Sequence, residues 1–257
     1  MLFHEQPSPL DPRDIEVEKI LNPQFDLPKK VDHRNLMPIV WDQGSDGPCS
    51  AYSAAAIKQW QERKDYGLRK SLSRDFVYFL RSNKPQKGMY PRDTMKILQK
   101  YGIPLKKSFK KRKYKSIKDI PQEIFDEASK HRIIGYARVN SIDGLKKSLY
   151  KNGPCYAVFP LYHNGKHFWE PQWGNTKQLG AHAVVIVGYD DNGFLIRNSW
   201  GDIWNEDGHT YYPYDQWQSH IEIWTCIDEK TGEPVIQKER KTILTLFKSI
   251  FKKQQNL

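Results

Sequence analysis

Gln43-Gly44-Ser45-Asp46-Gly47-Pro48-Cys49 runs straight into Ser50-Ala51-Tyr52-Ser53-Ala54-Ala55-Ala56-Ile57, and this junction decides how the 257-residue chain is read. It places a cysteine at the N-terminus of an alanine-rich, buried helix, with a Gly-rich turn and a glutamine just upstream. The thiolate is the reactive form of cysteine. Helix N-terminal amides and a nearby imidazolium both lower its pKa.

Partners for such a thiolate stand in the C-terminal half. Gly180-Ala181-His182-Ala183-Val184-Val185-Ile186-Val187-Gly188-Tyr189 puts a histidine at the start of a β-branched run. Asp190-Asp191-Asn192-Gly193 is a hairpin turn signal, and Phe194-Leu195-Ile196-Arg197 then delivers Asn198-Ser199-Trp200-Gly201. A short turn joins the two strands, so His182 and Asn198 can sit side by side. The Asn198 oxygen would accept from one ring nitrogen of His182, leaving the other to face Cys49, which is the nucleophile–base–orienter logic of acyl transfer. Gln43 would supply a side-chain amide, and Cys49 its backbone N–H, to the oxyanion of a tetrahedral intermediate.

With these elements the chain resembles the papain-like (C1-type) cysteine peptidases over most of residues 31 to 226. Gln-Gly-x-x-Gly-x-Cys matches Gln43 to Cys49, Gly-x-His-Ala matches Gly180 to Ala183, and Asn-Ser-Trp-Gly matches Asn198 to Gly201. His182 and Asn198 follow Cys49 by 133 and 149 residues, against roughly 130–150 in the family. Ser71–Leu80 looks like the second helix of the left-hand lobe, and Asn152–Val158 like the first long strand of the right-hand one. Gly88-Met89-Tyr90-Pro91-Arg92-Asp93, followed by Lys96–Ile103, looks like the glycine strand and helix bordering the cleft. The resemblance implies a cysteine endopeptidase with Cys49, His182, Asn198 and Gln43 in its centre. It also implies a substrate cleft lined by Gly88, Met89, Tyr90, Gly180, Ala181 and Trp200, with Trp200 shielding the His182–Asn198 bond. Ala181 and the Met89–Tyr90 wall suggest an open apolar second subsite. The style is that of compact bacterial and viral members. A peptide ligase or isopeptidase on the same site, or a catalytically silent binding or assembly protein, are the other functions this fold accommodates.

Departures matter as well. Asp46 stands where secreted members carry a disulfide cysteine, Ser50 where an aromatic usually follows the nucleophile, and Asn205 where a glycine is usual after Trp204. Ser50 would leave the groove wall beside Cys49 less filled. Cys49, Cys155 and Cys226 have no metal-ligand spacing and cannot all pair, so Cys155 and Cys226 are expected as inert core thiols. No metal or other cofactor is expected. Residues 1 to 15 lack the apolar core of a signal peptide, and no apolar run approaches the roughly 20 residues of a membrane span. The expectation is an intracellular protein in a reducing compartment.

The fold class expected is α+β, two-lobed and papain-like. A helical left lobe spans about 31–125 and a β-barrel-like right lobe about 126–228, with the cleft between them. Residues 1–30, rich in proline, would be either a surface belt or a short cleft-blocking pro-segment. The formal net charge of +11 is concentrated in two places. Residues 106–115 carry seven positive charges in what is expected to be a loop, and 238–257 carry a net +5. Residues 229–257 read as a basic amphipathic tail that either docks on its own domain or meets an anionic membrane or protein partner. No specific nucleic-acid binding is expected; the partner is a protein or peptide substrate.

Overall fold

Helix α1 (Cys49–Tyr66) is the element around which the chain is built. Its alanines let neighbours approach from almost every side, so Cys49, Ala51, Ala54, Ala55, Ala56, Ile57 and Trp60 are all buried. It ends at Gly67, whose φ of +64° is the left-handed conformation that closes helices. A computed structural model describes residues 5–21, 26–44, 47–174 and 176–228. The tail at 229–257, together with Ser45 and Asp46, lies outside the described residues.

On one side α1 meets α2 (Arg74–Phe79) and α3 (Pro91–Lys100), and α4 (Gln122–Ser129) packs into the same core. Ser73 caps α2, its Oγ accepting from Phe76 N at 3.3 Å. Helix α3 starts at Pro91, five residues before the position expected from sequence, because proline suits a first helical turn. The basic loop at 106–115 contains one short 3-10 turn, Lys111–Lys113. It is anchored by Phe109, which is buried edge-on against Phe76 and Phe79 while the lysines stay exposed.

The second lobe is an antiparallel seven-stranded sheet: β1 (Val31–Asp32), β2 (Gly135–Val139), β3 (Cys155–Leu161), β4 (Gly180–Asp190), β5 (Gly193–Arg197), β6 (His209–Tyr212) and β7 (Glu222–Ile227). Its order is β2-β7-β3-β4-β5-β6, with β1 added to β4. Among the described residues no pairing joins β2 to β6, so the barrel-like lobe is an open sheet rather than a closed one. Val31–Asp32, expected in the helical lobe, belongs to this sheet. Val31 pairs with Tyr189, and its carbonyl lies 2.1 Å from where a Cβ on Gly188 would be, so only glycine fits there. The β4–β5 hairpin turns at Asp190–Gly193 as the sequence signals, and it carries a register shift between Ile186 and Gly188.

Alternation along the strands builds two cores. Tyr156, Val158, Ala181, Ala183, Val185 and Trp224 face α1 and the helical lobe. Cys155, Ala157, Phe159, Val184 and Ile186 face the other side, where α5 (Ile142–Asn152) and N-terminal Val17, Ile20 and Leu21 cover them. Residues 15–21 dock through Arg138 N to Ile15 O (2.7 Å) and through Glu18 Oε1, which accepts from Asn140 N and Ser141 Oγ. Buried Lys58 ties the lobes together, 2.8 Å from Glu62 Oε1 and paired with Asp228 beyond β7. Among the described residues no helix is long and apolar enough to cross a membrane.

Candidate active site

Cys49 opens α1, where the first amides of a helix have no intrahelical partner. The backbone amides of Ser50 and Ala183 lie close enough to its sulfur to favour the thiolate. Ala183 follows His182 on β4, so this contact brings the histidine strand onto the nucleophile. His182 is fully buried, and its Nε2 lies 2.8 Å from Asn198 Oδ1. Trp200 stacks on the imidazole at 4.6 Å and 17°, with Phe168 edge-on beside it. The hairpin therefore places His182 and Asn198 together, and the tryptophan covers their bond.

Gln43 enters the site through a backbone bond from its N–H to Ser199 O at 2.9 Å. Ser199 Oγ donates to Gln43 Oε1 at 2.5 Å, which fixes the amide. Gln43 Nε2 then remains a buried donor without a partner among the described residues. A preorganised donor with nothing to bond in the resting state suits charge that develops later.

Residues 5–8 lie in the cleft, and sequence reasoning did not single any of them out. Glu5, 5% exposed, accepts from Cys49 Sγ at 3.5 Å and from Met89 N at 3.2 Å through Oε2. Tyr156 Oη donates to its Oε1 at 3.3 Å. Tyr90 Oη reaches Gln6 Oε1 at 3.5 Å, Arg92 N donates to Ser8 Oγ at 3.0 Å, and Ser8 N donates to Glu222 Oε1 at 2.7 Å. Of the residues expected to line the cleft, Met89 and Tyr90 touch this segment, Ala181 is buried in the same core as Cys49, and Gly88 and Gly180 provide backbone at positive φ. Ser50 leaves no gap in the wall: it is fully buried and hydrogen-bonded to Tyr156 Oη. Asn205 holds the positive φ of 45° that explains the usual glycine there, a conformation asparagine tolerates.

The electrostatics of this closed site reverse the expectation of an activated thiolate. Burial, then the adjacent Glu5 carboxylate, push the Cys49 thiol well above its ordinary range, against the Ala183 and Ser50 amides. Burial takes His182 down to about 4, with the Asn198 bond working the other way. Burial likewise raises Glu5 to about 8. Each shift favours the uncharged form of its group, whether thiol, imidazole or carboxyl. Helix N-terminal amides were expected to dominate, but desolvation under residues 5–8 outweighs them. Cys155 and Cys226 are buried free thiols, with Cys226 pushed up to about 12 by burial. Among the described residues no group of His, Cys, Asp or Glu is arranged to hold a metal ion.

A family profile described as papain family cysteine protease matches residues 27–226. Cysteine proteinase 3 of Entamoeba histolytica is 27% identical over 197 residues, covering 71% of this chain and 61% of that protein. An uncharacterised peptidase C1-like protein of Acanthamoeba polyphaga mimivirus is 26% identical over 229 residues, covering 76% and 70%. Papain of Carica papaya is 28% identical over 218 residues, and the chain spans 58% of its length. Among solved structures, xylellain, a cysteine protease from Xylella fastidiosa, superposes with a TM-score of 0.72 at 27% identity, covering 89% of this chain and 96% of that one. With a profile match over most of its length and a helix–sheet architecture shared with xylellain, the chain belongs to the papain family of cysteine proteases.

Proposed function

We propose that this protein is a cysteine endopeptidase that hydrolyses peptide bonds at Cys49 and is held closed by residues 5–8 until they leave the cleft. One observation carries this reading. The Ser50 and Ala183 amides act on the Cys49 sulfur, the His182–Asn198 pair is carried by the same hairpin as Ala183, and Gln43 Nε2 is a buried donor without a partner among the described residues.

Departure of residues 5–8 removes Glu5 and readmits water, relieving both causes that raise the thiol, while the two amides remain. Cys49 then passes its proton to His182, and Asn198 holds the ring in register. The thiolate attacks the carbonyl carbon of a peptide bond, and the oxyanion is held by Gln43 Nε2 and the Cys49 N–H. The C–N bond breaks as His182 gives its proton to the leaving amine. Water next loses a proton to His182 and attacks the thioester; the C–S bond breaks, the acid is released, and Cys49 is restored. A silent scaffold would have no use for a buried amide donor kept without a partner, which favours the enzymatic reading.

The test compares hydrolysis of a peptide library by wild-type protein, Cys49→Ala and His182→Ala. Both variants should lose all thiol-directed activity. Full turnover by Cys49→Ala would refute the assignment.

A further inference from the structure

A buried cation adjoins the His182–Asn198 pair. Arg197 ends β5, precedes Asn198 in the chain and is 3% exposed. Its Nη2 donates to Ile39 O at 2.6 Å. Burial, then the like charge of Arg63, bring it down to about 10, so it stays protonated at neutral pH. With Trp41, Tyr52, Ser53, Asn198 and Ser199 it lines a cavity that has room for one water-sized sphere, about 10 Å³. Asn198 is buried, and its Nδ2 is a donor without a partner among the described residues. The other arm of that amide, Oδ1, is taken by His182 Nε2 and Ser199 N, each at 2.8 Å.

The charged groups around Arg197 do not offset it. The Trp41 ring lies 5.9 Å from its guanidinium and 4.2 Å from that of Arg74, on which the charge of Asp75 acts. Arg63 is a cation as well, its Nη1 held by the carbonyls of Leu36 and Met37. Asp32 is paired with Arg34 at 2.6 Å, and Asp42 Oδ1 accepts from Gly44 N at 2.8 Å. His209, opposite Arg197 on β6, is lowered by burial and then by Arg197 itself, which favours its neutral form. A guanidinium without a counter-charge and an amide donor without an acceptor therefore line one small void.

A water there would satisfy the amide and leave the guanidinium uncompensated, whereas phosphate or a carboxylate exceeds the void. We propose that the cavity binds a single halide, chloride, between the Arg197 guanidinium and Asn198 Nδ2. By accepting from Nδ2 the ion keeps the amide turned with Oδ1 on His182. Arg197 is thus a positioning residue that acts through the ion and Asn198. The inference takes from the peptidase reading only the work of Asn198, and binding itself is tested without catalysis.

Melting of the full-length protein is followed while chloride replaces gluconate, which is too large for the void, at constant ionic strength. Tm should rise by about 3–5 °C for each tenfold of chloride above its Kd, and Arg197→Met should abolish the rise. On a cleaved library peptide, kcat in gluconate should be about 2- to 10-fold lower than in chloride, the worth of one hydrogen bond, with KM unchanged. If Arg197→Met does not fold, wild-type crystals soaked in bromide decide, and they should show an anomalous peak between Arg197 and Asn198 Nδ2. A water at that place with no anomalous signal would overturn the proposal. So would bromide seen at molar concentration alone (an adventitious ion only), a Tm rise that survives in Arg197→Met, or a kcat equal in both salts. A bound halide in a protein that cleaves nothing sinks the peptidase reading and leaves the site standing; cleavage with no halide in the cavity sinks this inference alone.

Discussion

Raising the pH from 5 to 8 will unseat residues 5–8 from Cys49, and Glu5→Gln will remove that response. Burial raises the Glu5 carboxyl from the ordinary 4.5 to about 8, and the charge of Glu222 adds to the rise. The Met89 amide, the Cys49 thiol and the Tyr156 hydroxyl pull the other way. The seated segment therefore binds a proton that the released segment gives up. Because the seated value is the higher one, protonation supports closure fully below pH 4.5. That support is lost as pH rises through about 8. The gap caps the effect at about three-thousandfold in the seated-to-released ratio, at most tenfold per pH unit. The assay is alkylation of Cys49 by iodoacetamide between pH 5 and 9 in the wild type and in Glu5→Gln, which cannot ionise. Peptide mapping separates Cys49 from buried Cys155 and Cys226. Dividing one rate by the other removes the reagent's own pH dependence. The quotient of wild type over variant should climb steeply from pH 5 to 8 and then level off. A flat or falling quotient would refute the role given to Glu5.

Three further outcomes follow from particular contacts. Gln43→Ala should lower kcat by about 10²–10³-fold with little change in KM, because its Nε2 bonds nothing in the resting site; steady-state kinetics on a cleaved library peptide checks this. Asn198→Ala removes the 2.8 Å bond to His182 and should lower kcat by roughly 5- to 150-fold, less than loss of His182 itself. Lys58→Ala removes the buried cation that Glu62 and Asp228 share, leaving Glu62 its contact with His131, and should cost about 3–5 kcal/mol in urea unfolding.

The residues proposed to carry the chemistry were legible because each sits in a local pattern. Cys49 stands at a glycine-to-helix junction, and His182 and Asn198 flank a hairpin whose turn residues are explicit. Gln43 is six residues from the nucleophile on the same entry turn. Glu5 and Ser8 carry no such signal. Their contacts reach across 44, 84 and 214 positions, and a proline-rich extension has no periodicity to say which side chain turns inward. Glu222 was hidden differently, inside a run that reads as apolar strand, where one acid is outweighed by Ile223 and Trp224. The sign of the Cys49 shift could not be read at all from its helix position, since it depends on what covers the sulfur.

The most direct test of the account is to trap the acyl-enzyme. Wild-type protein at pH 8 is mixed with a peptidyl ester, quenched in acid within milliseconds, digested and analysed by mass. The account predicts one acyl adduct, on Cys49, that disappears as product accumulates and never forms in Cys49→Ala. Product release with no adduct on Cys49, or equally fast release by Cys49→Ala, would contradict it.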